Sequence, residues 1–151
     1  MKRTGILNAP LASAIARMGH GDLMIVCDAG FPIPSEVERV DLALMEDVPN
    51  LKTVLTAIAG SFIAEKVGFA DTLPGHNPVL LQTIRDTFPD AEEEMLTHER
   101  ILSDMARSAK VIVRTGAFDP WGNVLLYSGV DVPRWFSKPG TVAPDYYKDK
   151  M

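Results

Sequence analysis

The feature that most constrains the fold is a short, continuous apolar run, residues 23–27, with turn-forming residues on both sides. Gly21 precedes the run, and Asp28, Gly30 and two prolines follow it. The run is too short to span a membrane, and an apolar segment between turn signals is typical of a strand buried inside an α/β sheet. Ligands of open α/β sheets bind beyond the carboxyl ends of the strands, so Asp28 is a candidate site residue.

A histidine, His20, precedes the same run and lies between two glycines. If residues 23–27 form a strand, His20 and Asp28 lie at its opposite ends, and one pocket of one subunit need not contain both. Contact between subunits of an oligomer would bring them together. A turn histidine with a surface hydrogen bond is the alternative interpretation of His20. By itself, His98 is typical of a helix terminus, and His76 is typical of a structural turn.

Composition narrows the class of protein. The chain has 151 residues, enough for one domain with its own core, and 46% of them are apolar. A net charge of −5 argues against nucleic acid or an anionic membrane as the main partner. The single cysteine, Cys27, cannot form an intrachain disulfide and is expected to be a buried thiol. There is no signal-peptide pattern and no apolar stretch of about 18 residues, so a cytoplasmic protein is expected.

Helical and strand periodicities alternate along the chain. Helices are predicted after four capping residues, which are Asn8, Asn50, Asn77 and Thr97. Strands are predicted at residues 23–27, around 40–44, at 61–67, at 111–113 and at 124–127. The acidic segment Glu92–Glu94 is interpreted as a solvated face or a short connection. This alternation predicts an α/β layered fold.

The sequence predicts a catalytic domain over residues 1–132 and a C-terminal tail of uncertain structure over 133–151. The tail has three prolines and four aromatic residues, and it has no helical or strand period. Such a segment could wrap a neighbour or be mobile. No internal repeat and no linker to a second domain is present.

Common catalytic motifs are missing. The chain has no glycine-rich phosphate loop, no dinucleotide fingerprint, no Cys-x-x-Cys and no Gly-x-Ser-x-Gly. In the loop after the 111–113 strand, Trp121 and Asn123 combine an aromatic face with an amide, a pair that can stack on a sugar and hydrogen-bond it. A metal hydrolase with His20, His98 and Asp28 as ligands is an alternative, although the usual helical spacing of histidines is absent.

Several segments together resemble the ribose pyranase and fucose mutarotase family. They are Met18-Gly19-His20-Gly21-Asp22, Cys27-Asp28-Ala29-Gly30-Phe31-Pro32-Ile33-Pro34, Thr97-His98-Glu99, and Arg114-Thr115-Gly116 with Trp121-Gly122-Asn123. The similarity runs from the first residues to Val132, in the same order and at compatible spacing. The Cys-Asp-Ala-Gly-x-Pro-Ile-Pro segment resembles the ribose branch in particular.

The resemblance implies a central mixed sheet flanked by helices. It implies an enzyme that interconverts the pyranose, furanose and anomeric forms of a free monosaccharide, D-ribose first, with L-fucose mutarotase as the alternative. It implies no cofactor and no metal. It also implies a homodecamer of two pentameric rings with sites between subunits. A non-catalytic sugar-binding protein is the alternative of another class.

The resemblance also assigns residues. His20 matches the proton donor of the family, and the sugar-binding positions match Asp28, His98, Trp121, Gly122 and Asn123. Trp121 stands where the family has a tyrosine, so it lacks a hydroxyl and offers a larger stacking face. The tail beyond Val132 is expected to have no counterpart in the family.

These residue types suit the reaction. Opening a cyclic hemiacetal removes a proton from the anomeric hydroxyl and adds one to the ring oxygen, and no electrons leave the sugar. An imidazole can give and take protons near neutral pH, and general acid–base catalysis contributes about 10²–10⁴-fold. We expect His20 to protonate the ring oxygen while Asp28 and His98 orient or deprotonate hydroxyls. Asn123 would bind a hydroxyl, and Trp121 would cover an apolar sugar face.

Overall fold

The protein is described by a computed structural model that covers residues 1–151. Its strands are β1 (Leu23–Cys27), β2 (Glu38–Asp41), β3 (Ala64–Ala70), β4 (Glu92–Leu96), β5 (Val111–Arg114) and β6 (Val124–Ser128). They form one six-stranded sheet in the order β2-β5-β1-β6-β3-β4. Neighbouring strands are parallel except β6, which runs antiparallel to both β1 and β3. The predicted α/β layered fold with a central mixed sheet is confirmed.

The helices follow most of the predicted start signals. They are α1 (Ala9–Ala16), α2 (Leu51–Ala59), α3 (Leu73–His76), α4 (Pro78–Thr87), α5 (His98–Arg100), α6 (Ala106–Ser108) and α7 (Val132–Phe136). A π-helical segment, Ile101–Met105, joins α5 to α6, and a 3₁₀ helix, Asp145–Lys150, follows α7. The side chains of the four predicted capping residues each accept a backbone N–H of the helix that they precede. By length and hydropathy, none of the helices qualifies as a membrane span.

Helices cover both faces of the sheet, and β1 shows why. Met24 and Val26 point into a cluster of apolar residues contributed also by α1, α2 and α4. Ile25 and Cys27 point into a second cluster with residues of the 101–109 segment. All residues of β1 are buried, as predicted, and burial raises the pKa of the Cys27 thiol. Each fully buried apolar side chain contributes about 1.5–3 kcal/mol, so the strand that carries Asp28 is held firmly on both faces.

The acidic segment is not a connection, because Glu92–Leu96 forms β4, an edge strand parallel to β3, but the exposure of Glu92 and Glu93 agrees with the predicted solvated face. Two of its carboxylates have partners: Glu93 accepts two hydrogen bonds from Arg85, at 2.7 and 2.9 Å, and Glu94 accepts one from the Tyr127 hydroxyl at 2.6 Å. Charged residues are common on edge strands, where they discourage pairing with another chain.

Other boundaries shift by a few residues. The strand predicted at 61–67 begins at Ala64 and continues to Ala70, because Phe69 and Ala70 fill the core while Phe62 is buried ahead of the strand. The strand predicted around 40–44 lies at Glu38–Asp41. The helix that Asn8 caps ends at Ala16.

The tail begins with α7, which the sequence did not predict. The Asp131 carboxylate caps α7 by accepting the Arg134 N–H at 3.1 Å. The Phe136 and Tyr147 rings lie 5.8 Å apart. The Lys150 ammonium reaches to 3.8 Å from a carboxylate oxygen of Glu65, so the tail returns to the edge of the sheet where β3 begins.

Candidate active site

The direction of β6 determines which loops meet. Because Val26 of β1 pairs with Val124 of β6 in antiparallel register, the residue before β6 lies beside the residue after β1. Asn123 therefore lies on the side of the sheet where the carboxyl ends of β1 and β5 are found. The carboxyl ends of β3 and β4 lie at the same edge, which is where an α/β sheet binds ligands.

A cavity of about 810 Å³ opens at this edge. Three of the predicted site residues line it, namely Asp28, His98 and Trp121. Gly122 and Asn123 are buried directly behind this lining. The structure thus brings together all the predicted sugar-binding residues, which come from the ends of β1 and β4 and from the loop between β5 and β6.

The Asp28 carboxylate is fixed by two donors. One oxygen, Oδ1, accepts the Gly30 N–H at 2.8 Å. The other, Oδ2, accepts the Asn123 amide at 3.2 Å in the amide orientation that satisfies its neighbours. Burial raises the pKa of Asp28 above its ordinary value, and these hydrogen bonds together with the nearby His98 oppose that rise. The result is an oriented carboxyl group suited to exchanging protons with a hydroxyl.

Gly122 makes the contact between Asp28 and Asn123 possible. A Cβ at this position would lie 2.8 Å from the Asp119 carbonyl oxygen and 3.5 Å from the Asp28 Cβ. Any side chain would therefore collide with the Asp119 carbonyl and distort the 119–122 turn that leads to Asn123. This glycine shapes the site without offering a functional group of its own.

Trp121 is held from behind by a part of the chain far away in sequence. Its backbone φ is +55°, a left-handed conformation that is costly for a bulky residue. The His76 ring lies 4.8 Å from the Trp121 ring at a tilt of 53°. The side chain of Asn77 donates to the Pro120 carbonyl at 3.1 Å. The junction of α3 and α4 therefore fixes the aromatic face, and the structural role expected for His76 includes this contact.

His98 begins α5, as predicted, and its ring lines the cavity. Its Nδ1 is buried and has no hydrogen-bond partner. The Nε2 atom makes no hydrogen bond to the protein either, and it is the ring nitrogen left to interact with a ligand. His98 can thus bind or deprotonate a hydroxyl next to Asp28.

Three further charged residues line the cavity to which the sequence assigned no role, namely Glu46, Arg114 and Asp119. Arg114 donates to the Ala29 carbonyl at 3.0 Å and to Asp41, and so ties the end of β5 to the Asp28 loop. Burial raises the pKa of Asp119, and the charges of Asp47 and Asp28 add to this effect. The place of Asp119 in the Trp121 loop was the sequence signal that could have pointed to it.

The mouth of the cavity is apolar and exposed. Leu44, Met45 and Phe118 line it and are 78%, 64% and 64% exposed. The loops that carry them are bound together, because Asp47 donates its N–H to the Gly116 carbonyl at 2.7 Å and accepts the Phe118 N–H at 3.2 Å. The mouth is therefore an ordered apolar surface.

His20 lies outside this cavity, at the opposite edge of the sheet. Gly21, Asp22 and the five residues of β1 separate it from Asp28, and β1 alone rises about 13 Å. Its ring contacts Glu65 at 3.1 Å, and 46% of its side chain is exposed. Within one chain, His20, His98 and Asp28 cannot bind one ion, and no group of three His, Cys, Asp or Glu side chains is arranged as metal ligands.

Known proteins resemble this chain in both sequence and fold. The profile of the RbsD / FucU transport protein family matches residues 1–131. D-ribose pyranase 2 of Rubrobacter xylanophilus is 55% identical over 150 residues, 99% of this chain and 97% of that protein. D-ribose pyranase 1 of Streptomyces griseus is 50% identical over 100% of both chains. Bacillus subtilis RbsD, solved in complex with D-ribose, aligns with a TM-score of 0.81 at 35% identity, covering 86% of this chain and 98% of that one.

The comparisons also correct the expectation for the tail. The two bacterial pyranases match 99% and 100% of this chain, so the tail does have counterparts. The family profile, in contrast, stops at residue 131. A profile that matches most of the chain, together with relatives at 50–55% identity over nearly its whole length, leads to one conclusion: the chain belongs to the RbsD / FucU family.

Proposed function

We propose that the chain is a cofactor-free isomerase that interconverts the pyranose and furanose forms of free D-ribose. One observation carries this proposal: Asp28, His98 and Trp121 converge on one cavity, with Asn123 fixing Asp28 from behind. Asp28 and His98 can exchange protons with sugar hydroxyls, and the Trp121 ring beside them can stack on the sugar. The names of the most similar whole-length relatives, D-ribose pyranases, support the same activity.

The proposed chemistry is a pair of balanced proton transfers. A base, Asp28 or His98, removes the proton of the anomeric hydroxyl while His20 protonates the ring oxygen, and the bond from the anomeric carbon to that oxygen breaks. A different hydroxyl then attacks the aldehyde carbon and gives its proton to His20, while the base returns its proton to the aldehyde oxygen, which becomes the new anomeric hydroxyl of the furanose. Trp121 covers an apolar face of the sugar. No electron acceptor takes part, because the oxidation level of the sugar does not change.

We further propose that the working form is a homodecamer of two pentameric rings with the sites between subunits. Two features favour a shared site. His20 lies at the far edge of the sheet and is half exposed, where a neighbouring subunit can reach it. The apolar mouth formed by Leu44, Met45 and Phe118 is the kind of surface that a second subunit covers. The lone buried Cys27 is compatible with a reducing compartment, and we propose that the protein works in the cytoplasm.

The decisive experiment measures sugar exchange directly. Saturation transfer between the pyranose and furanose NMR signals of D-ribose, with and without the protein, reports the rate of ring interconversion. We expect a large acceleration for ribose and a smaller one for L-fucose. Faster exchange of fucose than of ribose would make the protein a fucose mutarotase. Binding without acceleration would make it a non-catalytic sugar-binding protein.

A further inference from the structure

The His20 side chain has one protein partner, the carboxylate of Glu65. The Nε2 atom of His20 lies 3.1 Å from Oε2 of Glu65. Glu65 is the second residue of β3 and 31% of its side chain is exposed, so the contact is partly shielded from water. The two residues are 45 positions apart in sequence, and no motif in either segment predicts their contact.

The backbone holds this pair in place. Gly21 donates its N–H to the Ser128 carbonyl at 2.8 Å, which fixes the turn after His20 to the end of β6. Gly129 donates to Ile63 at 2.8 Å, which fixes the start of β3 to the same point. A Cβ on Gly129 would lie 2.9 Å from the Glu65 Cβ. The glycine thus leaves the space that Glu65 occupies beside His20.

We propose that Glu65 is a positioning residue that sets the tautomer of His20, an inference that rests on the proposed function. A carboxylate can only accept hydrogen bonds, so Nε2 must carry the proton in this contact. Nδ1 is then the nitrogen that exchanges protons with the sugar. When Nδ1 also holds a proton, the carboxylate stabilises the positive ring, as the carboxylate does in a Ser-His-Asp triad.

The competing explanation is that Glu65 only anchors the tail. The Lys150 ammonium lies 3.8 Å from the same Oε2 atom that His20 contacts. The only side-chain hydrogen bond or ion pair of His20 is the one with Glu65. Replacing Lys150 by methionine therefore removes the tail contact and leaves the His20 contact intact, which makes Lys150→Met a matched control.

The test compares Glu65→Ala, Glu65→Gln and Lys150→Met in the ribose exchange assay, together with ¹⁵N NMR shifts of the His20 ring. We expect Glu65→Ala to lower kcat about tenfold, the effect of losing one hydrogen bond to a charged group, with KM unchanged. Its His20 ring should become a mixture of tautomers. Glu65→Gln keeps an acceptor oxygen, so it should retain the tautomer and have a kcat between those of Glu65→Ala and the parent. Lys150→Met should match the parent protein.

Each contrary result has a distinct meaning. An unchanged kcat and tautomer in Glu65→Ala, with assembly intact by size-exclusion chromatography, would overturn the role of Glu65. Equal losses in Lys150→Met and Glu65→Ala would assign Glu65 to the tail. A His20→Ala variant with full activity would instead refute the proposed function of His20, whatever Glu65 does.

Discussion

His20 and Asp28 lie at opposite ends of the same strand, although both are assigned to one reaction. The strand between them is buried on both faces, so it cannot bend to bring them together. A site that uses both residues must therefore form between two subunits, with Asp28 from one subunit and His20 from its neighbour.

A subunit-mixing experiment follows. The single variants His20→Ala and Asp28→Asn should each lose at least about 100-fold in ribose exchange, the lower end of general acid–base catalysis. When the two inactive variants are unfolded and refolded together, some interfaces join an intact Asp28 cavity to an intact His20. Activity should then return to a fraction of the parent value. Mixed assemblies that stay inactive would show that each site belongs to one chain.

The raised pKa of Asp28 predicts that its ionised carboxylate destabilises the folded protein. The folded protein holds the Asp28 proton more tightly than the unfolded chain does, so ionisation lowers the free energy of unfolding as the pH rises through the folded pKa. Asp28→Asn stays neutral and can still accept the Gly30 N–H. At pH 7 we expect a higher melting temperature for this variant, with a difference that shrinks as the pH falls towards 3.8, the ordinary value of the group. Calorimetry at several pH values measures this difference.

Trp121 should affect the affinity and selectivity for the sugar more than it affects kcat. Its truncation in Trp121→Ala removes the stacking face, and we expect KM for ribose to rise about tenfold while kcat changes little. Trp121→Tyr keeps a ring and adds a hydroxyl, so it should alter the ratio of kcat/KM between ribose and L-fucose. Exchange rates of both sugars over a range of concentrations provide the comparison. A tenfold loss of kcat in Trp121→Ala would instead assign the residue a part in the chemical step.

Two glycines provide a matched test of the loops that frame the cavity. A Cβ on Gly116 would lie 2.7 Å from the Val48 carbonyl oxygen and would overlap the Met45 carbonyl, whereas Gly75 has nothing within 4 Å. Gly116→Ala should destabilise the fold by about 2 kcal/mol or more and weaken ribose binding, because backbone must move. Gly75→Ala should be neutral or slightly stabilising. Urea denaturation curves of both variants test this contrast.

Local signals predicted much of the fold. The apolar runs of β1, β5 and β6 are long enough and buried enough to be recognised as strands, and the asparagine caps mark the starts of α1, α2 and α4. The edge strand β4 could not be recognised, because its run of glutamates lacks the apolar alternation of a strand and two of them are paired by residues outside the strand, Arg85 and Tyr127.

The candidate site was predicted through short motifs, and its supporting contacts were not. Asp28 and Trp121 stand next to strand ends, so their position at the ligand-binding edge can be inferred. The contacts of Glu65 with His20 and of His76 with Trp121 join segments 45 residues apart. Such pairs depend on the strand order, which periodicity does not reveal.

The reversed direction of β6 allows the selectivity of this protein to change without rebuilding its framework. The residues 115–123 form an excursion that leaves the sheet and re-enters it at the same edge. Substitutions or insertions in the outer part of this excursion, residues 118–121, would remodel the wall of the cavity while every strand keeps its partners. A fold of this kind can diverge from one free sugar to another by editing a single loop.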